Sequence, residues 1–416
     1  MKSKSFHYLW ISQALANCGD LFYVVGLMAI VHEITGSAMH MAMIPFVTTL
    51  ARFISGGFAP VLMDKYALKS LLLISQWGKT AVLLLLVMTR YALGNQEMTV
   101  YVILVMVLLI SFLDGWAAPA SHALLPRLVP RDELTRANSF VAVVDQMIQL
   151  GGWAAGGMLV AIFGGGQVIW LTVVLAAAAA VLTKRMEDPW VLENSSERKA
   201  RTPYWSSMRE GWVLIWKQPA LRTIHVIYVL ESIAGVVWIA AIVYVYVSEV
   251  LHKEEAWWGY INASFFLGLM AGGWCGMKGS RWMDRHIVGL TVYASFGISL
   301  MTFGFGMTSI PWLALMFSSG FGLFDQLKAI SLQTMLQRSA SLQMMPKVYA
   351  AQSSLISLVF GASTLLFGYV TDRFGVRTTF MAAAGILFLS GCYAFGARAR
   401  WAPGGNGHDV REASSM

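Results

Sequence analysis

A chain of 416 residues that is 57% hydrophobic and only 12% charged carries half the charge of an average soluble protein, which is about 25%. Its formal net charge of +8 comes with no basic face interleaved with aromatics, which argues against nucleic acid as a partner. Apolar stretches of about eighteen residues or more recur from end to end, the mark of a polytopic α-helical membrane protein; they do not alternate, as the segments of a transmembrane barrel would.

The first run, in MKSKSFHYLWISQALANCGD, starts basic but is interrupted by polar residues and continues into a span, so no cleavable signal is read there. Set between Gly, Pro and charged punctuation, the runs predict twelve spans, at roughly 8–32, 40–63, 69–91, 98–123, 135–162, 167–184, 221–250, 256–277, 287–307, 310–335, 346–370 and 377–397. Between the sixth and seventh lies the one long polar segment, Arg185 to Pro219. It predicts two six-span halves, 1–184 and 221–397, a linker over 185–220 and a tail over 398–416. In the linker, SSMREGWVLIWKQPALR sets Met208, Trp212, Ile215 and Trp216 on one helical face. Such a face suits a short helix lying in the inner interface, or a connector packed on the core.

With the N-terminus in the cytoplasm, 23 of the 30 Lys and Arg fall in cytoplasmic segments. Four lie in external loops (Arg90, Lys253, Arg373 and Arg377), and Arg52, Lys79 and Lys328 lie within spans. Positive charge gathers on the cytoplasmic side of membrane proteins, so both termini are expected in the cytoplasm and the protein in the plasma (cell inner) membrane. Cys18, Cys275 and Cys392 all sit in apolar segments, with neither a ligand spacing nor a secreted disulfide framework.

Transporter folds often contain repeated halves. Matching LLPRLVPRDELTRANSF after span 4 to MLQRSASLQMMPKVYAAQSS after span 10, Arg127 on Arg338, sets an offset of 211 residues. The same offset pairs Gly157 with Gly368 and Phe163-Gly164 with Phe374-Gly375. It also pairs Asp20 with Glu231 and Asp114 with Asp325. Spans 1, 4, 7 and 10 therefore each carry one acid on a common register.

The twelve spans, the two halves and four stretches resemble the major facilitator superfamily, and within it the drug:proton antiporter branch that includes the macrolide-efflux proteins and the enterobactin exporter. The stretches are GDLFYVVGLMAIVHEITGSA in span 1, ALLPRLVPRDELTRANS after span 4, MREGWVLIWKQPALR before span 7 and FGYVTDRFGVR after span 11. The resemblance implies alternating access, with spans 1, 4, 7 and 10 lining a central cavity that the four acids would face.

There are departures. The loop between spans 2 and 3, PVLMDKYALK, keeps Asp64 and Lys65 but has Pro60 at the family's usual Gly and lacks the second Gly. The resemblance makes Asp64 and Lys65 a charge latch, expected to be weak. DRFGVR, from Asp372 to Arg377, matches that motif better but falls outside by loop parity. Span 4 lacks the family's relay arginine and offers Asp114 instead; in span 5, GGWAAGG has Gly152 where proline is customary, which favours tight helix packing.

Intramembrane acids are costly, and are kept for ion handling or tied up by partners. Asp20, Asp114, Glu231 and Asp325 are read first as handling protons or cations, and second as acids satisfied by interhelical bonds. Asp325 has Lys328 three residues on, a helical neighbour, whereas Asp114 has no base within a turn of its own helix and is expected to be freer for a ligand. Asp145 is expected to pair with Lys79 or Arg52; Arg52 could neutralise Asp20 or bind an anionic group. Trp116, Trp153 and Trp238, beside the acids, are candidates to line an apolar cavity for aromatic or cationic compounds. His32, His40, His122 and His225, near span ends, are expected as interface anchors.

No HExxH, GxSxG or phosphate-binding loop is present, and a linker of about 35 residues cannot hold an ATP-binding domain. An enzyme and a primary pump are both disfavoured, and neither a cofactor nor a metal is expected. What remains is a monomeric, proton-coupled exporter of amphipathic, drug-like small molecules, cationic ones included. The alternative is an exporter of one metabolite, such as a siderophore, or a lysolipid flippase.

Overall fold

The computed structural model describes residues 3–93, 97–188 and 204–398, and every regular element among them is helical. The helices are α1 (Lys4–Thr35), α2 (Ala38–Lys65), α3 (Leu68–Leu93), α4 (Glu97–Leu128), α5 (Leu134–Phe163), α6 (Gly165–Arg185) and α7 (Tyr204–Lys217). Then come α8 (Pro219–Ala234), α9 (Ala240–Glu249), α10 (Ala256–Lys278), α11 (Ser280–Met307), α12 (Pro311–Ser339), α13 (Met345–Phe374) and α14 (Val376–Ala397). The first six match the first six expected spans, α8 and α9 together the seventh, and α10 to α14 the last five.

Ten of these helical segments are long and apolar enough to cross a membrane. Of the others, α10 and α12, with 23 and 29 residues, exceed the ~20 residues a crossing requires. Their apolar character is diluted, in α10 by Gly, Asn and Trp and in α12 by Asp325, Lys328 and Arg338.

The described residues fall into two compact units. The first takes in those up to 137, from 144 to 212 and from 341 to 354; the second takes in 138–143, 213–340 and those from 355 onward. In the first unit α1 packs on α6, α2 on α4, and α3 on both α4 and α6. In the second, α8 packs on α14, α10 on α12, and α11 on both α12 and α14. The two schemes are the same. In the first, Tyr23, Leu27, Ile30, Leu83, Val107 and Ile169 meet in a buried apolar core; in the second, Tyr246, Ile298, Phe305, Phe321, Phe380 and Leu387 do so.

The 211-residue register is visible in the backbone. Helices α5 and α13 each have 30 residues and begin and end 211 positions apart. Each is closed by a glycine in a conformation side chains avoid: Gly164 at φ 82°, ψ 159° and Gly375 at φ 83°, ψ 157°. A Cβ disfavours this region, so glycine is required at both junctions. In the GGWAAGG stretch, Gly152 packs on Leu21 of α1, with no room for a Cβ.

The register fails in one place. Its seventh span, expected as one helix over 221–250, is broken. After Ala234 the chain forms a 3-10 turn, Gly235–Trp238, passes through extended Ile239 (φ −69°, ψ 154°) and restarts at Ala240. Gly235 and the β-branched Val236 and Val237 are weak helix formers, and Trp238 turns its ring into the aromatic core. The matching helix α1 runs unbroken for 32 residues.

Candidate transport site

In the first unit, α1 brings Asp20, α2 Arg52, α3 Lys79 and α4 Asp114 to one place. Lys79 Nζ lies 2.6 Å from Asp20 Oδ1 and 2.7 Å from Asp114 Oδ1. Arg52 Nη2 lies 3.2 Å from Asp114 Oδ2 and 3.7 Å from Asp20 Oδ2. Both acids touch both bases, and the cluster has no net charge. Lys79 is buried, whereas 45% of the Arg52 side chain is exposed, which leaves the guanidinium as the accessible charge.

This corrects the expectation for Asp114. It has no base on its own helix, but α2 and α3 supply two across helix contacts. Asp145 of α5 does not take Lys79 or Arg52, which hold Asp20 and Asp114; it accepts a hydrogen bond from Asn17 Nδ2 of α1 at 3.1 Å. Trp116 is buried edge-on against Phe112, with ring centroids 5.5 Å apart. Trp153 on α5 is 48% exposed.

In the second unit, Glu231 lies in the last turn of α8, and Asp325 and Lys328 lie on α12. The expected pairing of Lys328 with Asp325 is the weaker of two: Nζ lies 2.8 Å from Glu231 Oε1 and 4.0 Å from Asp325 Oδ1. Side-chain exposure is 2% for Lys328, 15% for Glu231 and 37% for Asp325. The Ser390 hydroxyl of α14 adjoins the Glu231 carboxylate. This cluster has one negative charge in excess. At the register positions of Arg52 and Lys79 stand Ala263 and Leu290. The acids repeat and their counter-charges do not.

Trp238 belongs to the packing of the second unit. Its ring centroid lies 4.3 Å from that of Phe321, 4.7 Å from Phe305 and 5.8 Å from Phe380. His225, expected as an interface anchor, is 3% exposed, with Nδ1 2.7 Å from the Leu221 carbonyl; burial beside Tyr228 replaces an interfacial position.

At the end of α2, Asp64 Oδ1 meets Lys347 Nζ of α13 at 2.9 Å, and Lys347 also meets Glu210 of α7 at 2.5 Å. All three belong to the first unit. Lys65 is exposed beside them. The Gly211 position abuts the Lys347 carbonyl so closely that a Cβ there would lie 2.5 Å from its oxygen. Within α7, Ile215 is buried and Trp216 is 61% exposed, so the expected apolar face is divided between core and surface. The Met208 side chain and the linker around Ser195 lie outside the described residues.

Lys79 as a shared partner, the Lys328–Glu231 pair, and Glu210 with Lys347 were not found from sequence. One signal was available for the first two: a base inside an apolar span must find an acid, and only a few acids lie at comparable depth.

The model of the Major Facilitator Superfamily matches residues 9–358. The chain belongs to this superfamily. It is 30% identical to the MFS-type transporter YfmI of Bacillus subtilis over 397 residues, 94% of this chain and 96% of YfmI. It is 21% identical to the multidrug efflux pump Tap of Mycolicibacterium fortuitum over 387 residues, 91% of this chain and 92% of Tap. Among solved structures, the transporter FucP in its outward conformation superposes with a TM-score of 0.74 at 13% identity, covering 94% of this chain and 98% of FucP. A bacterial homologue of the iron transporter ferroportin, outward-facing, gives 0.71 at 14% identity, covering 95% and 99%. As a major facilitator the protein is a multi-pass membrane transporter, not an enzyme.

Proposed function

We propose that the protein is a proton-coupled efflux transporter for amphipathic, cationic small molecules. The observation that carries this reading is the set of mid-span carboxylates, neutralised in the first unit and in excess in the second. A carboxylate away from bulk water attracts a cation strongly because the local dielectric is low, and it can bind a proton instead. A proton entering from outside would neutralise such an acid, release a bound cation and permit the return step of an alternating-access cycle. Likeness to the efflux pump Tap supports the direction. The halves 1–184 and 221–397, joined by the 185–220 linker, would act as a monomer in the plasma membrane, with both termini in the cytoplasm.

The test is transport of ethidium into proteoliposomes with an imposed pH gradient, acidic inside. The wild type is expected to accumulate the dye only with the gradient. Glu231→Gln and Asp20→Asn are expected to lose gradient-driven accumulation but to retain dye exchange at saturating substrate. If both variants kept the wild-type dependence on the gradient, the coupling assignment would be wrong.

A further inference from the structure

The two units repeat their acids on one register but answer them differently. In the first unit each acid meets both bases within 3.7 Å or less. In the second, one ammonium serves two carboxylates and cannot sit fully on both. Lys328 is almost fully buried against Glu231 at 2.8 Å, and Asp325, at 4.0 Å, keeps 37% of its side chain exposed. The second unit therefore contains a held carboxylate, an open carboxylate, and one tethered cation within reach of either. The aromatic side chains nearest in sequence to the open acid, Phe321 and Phe324, lie on the same helix and pack in the apolar core.

We propose that Lys328 is a built-in competitor for the substrate's positive charge. While Glu231 holds it, Asp325 is open and takes the cationic head of a lipophilic monocation; when Glu231 lets go, Lys328 moves to Asp325 and expels that head. The excess of one negative charge sets the preference for a single positive charge on the ligand. This rests on the efflux reading above and names the residue that gates it.

The test is binding of tetraphenylphosphonium to the full-length protein in detergent, with a neutral analogue of similar size as control. Of the two carboxylates that Lys328 meets among the described residues, Glu231→Gln leaves Asp325, so phosphonium affinity should fall about tenfold, the worth of about a third of one charge–charge attraction at ~4 Å. Adding Lys328→Gln to that variant frees Asp325 again and should bring affinity back to within about threefold of wild type. Lys328→Gln alone should bind about tenfold more tightly, and Asp325→Asn should cancel that gain. Neutral-analogue affinity should not change in any of them.

If Glu231 itself were the cation ligand, the double variant would stay as weak as Glu231→Gln, which would overturn the proposal. Should Lys328→Gln fail to fold, Glu231→Gln and Asp325→Asn decide together: both should bind the phosphonium more weakly, and an unchanged affinity in either overturns the proposal. A wild type that binds the phosphonium while its variants match it would sink this inference and spare the efflux reading. A wild type that binds no lipophilic cation would sink both.

Discussion

A lysine with 2% of its side chain exposed remains charged inside a helical bundle only if carboxylates hold it, and Lys79 has two. Lys79→Met would leave Asp20 and Asp114 with the partly exposed Arg52 alone. Loss of one member of a buried ion cluster costs about 3–5 kcal/mol, so a large fall in melting temperature in detergent is expected. Asp114→Asn takes the carboxylate charge from both Lys79 and Arg52 but leaves each of them Asp20 as a partner, so a smaller loss is expected, about 1–3 kcal/mol. Because Asp114 is engaged by two bases, cationic and neutral substrates should be affected alike in that variant; a selective loss of cationic ones would show that Asp114 reaches the ligand. The two junction glycines give a second test at this scale. Gly164→Ala and Gly375→Ala should each cost about 1–3 kcal/mol through backbone strain alone, while Gly166→Ala, at the second residue of α6 with open space around it, should cost nothing.

At the scale of elements, α7 is held to the start of α13 by charge and by close approach, and magnitudes separate the two. The Lys347 pairs with Asp64 and Glu210 involve carboxylates 28% and 34% exposed, and exposed ion pairs are worth about 0–1 kcal/mol. A side chain at Gly211 would push against the Lys347 backbone, and overpacking of this kind costs about 1–3 kcal/mol. Gly211→Val should therefore lower the melting temperature more than Lys347→Gln does. The reverse order would mean that charge, not packing, docks the linker helix. Most helices could be read from the sequence because each crossing needs a long apolar run, and that run is local information. The register of acids could be read too, since it is a spacing within one string of letters. The partners of those acids could not: Lys79 reaches Asp114 only because α3 packs on α4, and Lys328 prefers Glu231 over its helical neighbour because α8 passes closer. The break in the seventh span was hidden because Gly235, Val236, Val237 and Trp238 are all tolerable in an apolar run; what unwinds them is the aromatic core around Trp238.

For the whole molecule, the proposed orientation is checked by single cysteines in a background lacking Cys18, Cys275 and Cys392. A cysteine at Gly166 should react with an impermeant maleimide only from outside the cell, and one at Ser195 only from the cytoplasm. Gly166 serves better than Gly165, where a Cβ would lie 2.7 Å from the Gly26 carbonyl. Labelling of either site from the opposite face would reverse the orientation drawn from the distribution of Lys and Arg.

The interrupted seventh span has a mechanical consequence. At 1.5 Å per residue, α8 is a rod of about 24 Å and α9 one of about 15 Å, each shorter than the ~30 Å hydrocarbon layer. Between them stand the 3-10 turn, closed by Ile239 N–H donating to the Val236 carbonyl at 3.0 Å, and extended Ile239, whose carbonyl accepts from Val243 N–H of α9 at 3.2 Å. A continuous helix transmits a tilt along its whole length; two rods on a short joint need not. The direction of α9 is set by its own packing, with Tyr246 buried in the core and its hydroxyl donating to the Phe305 and Thr308 carbonyls at 2.6 and 2.8 Å, while α8 separately keeps Glu231 on Lys328 at 2.8 Å; the two ends of this crossing are thus fixed by different neighbours.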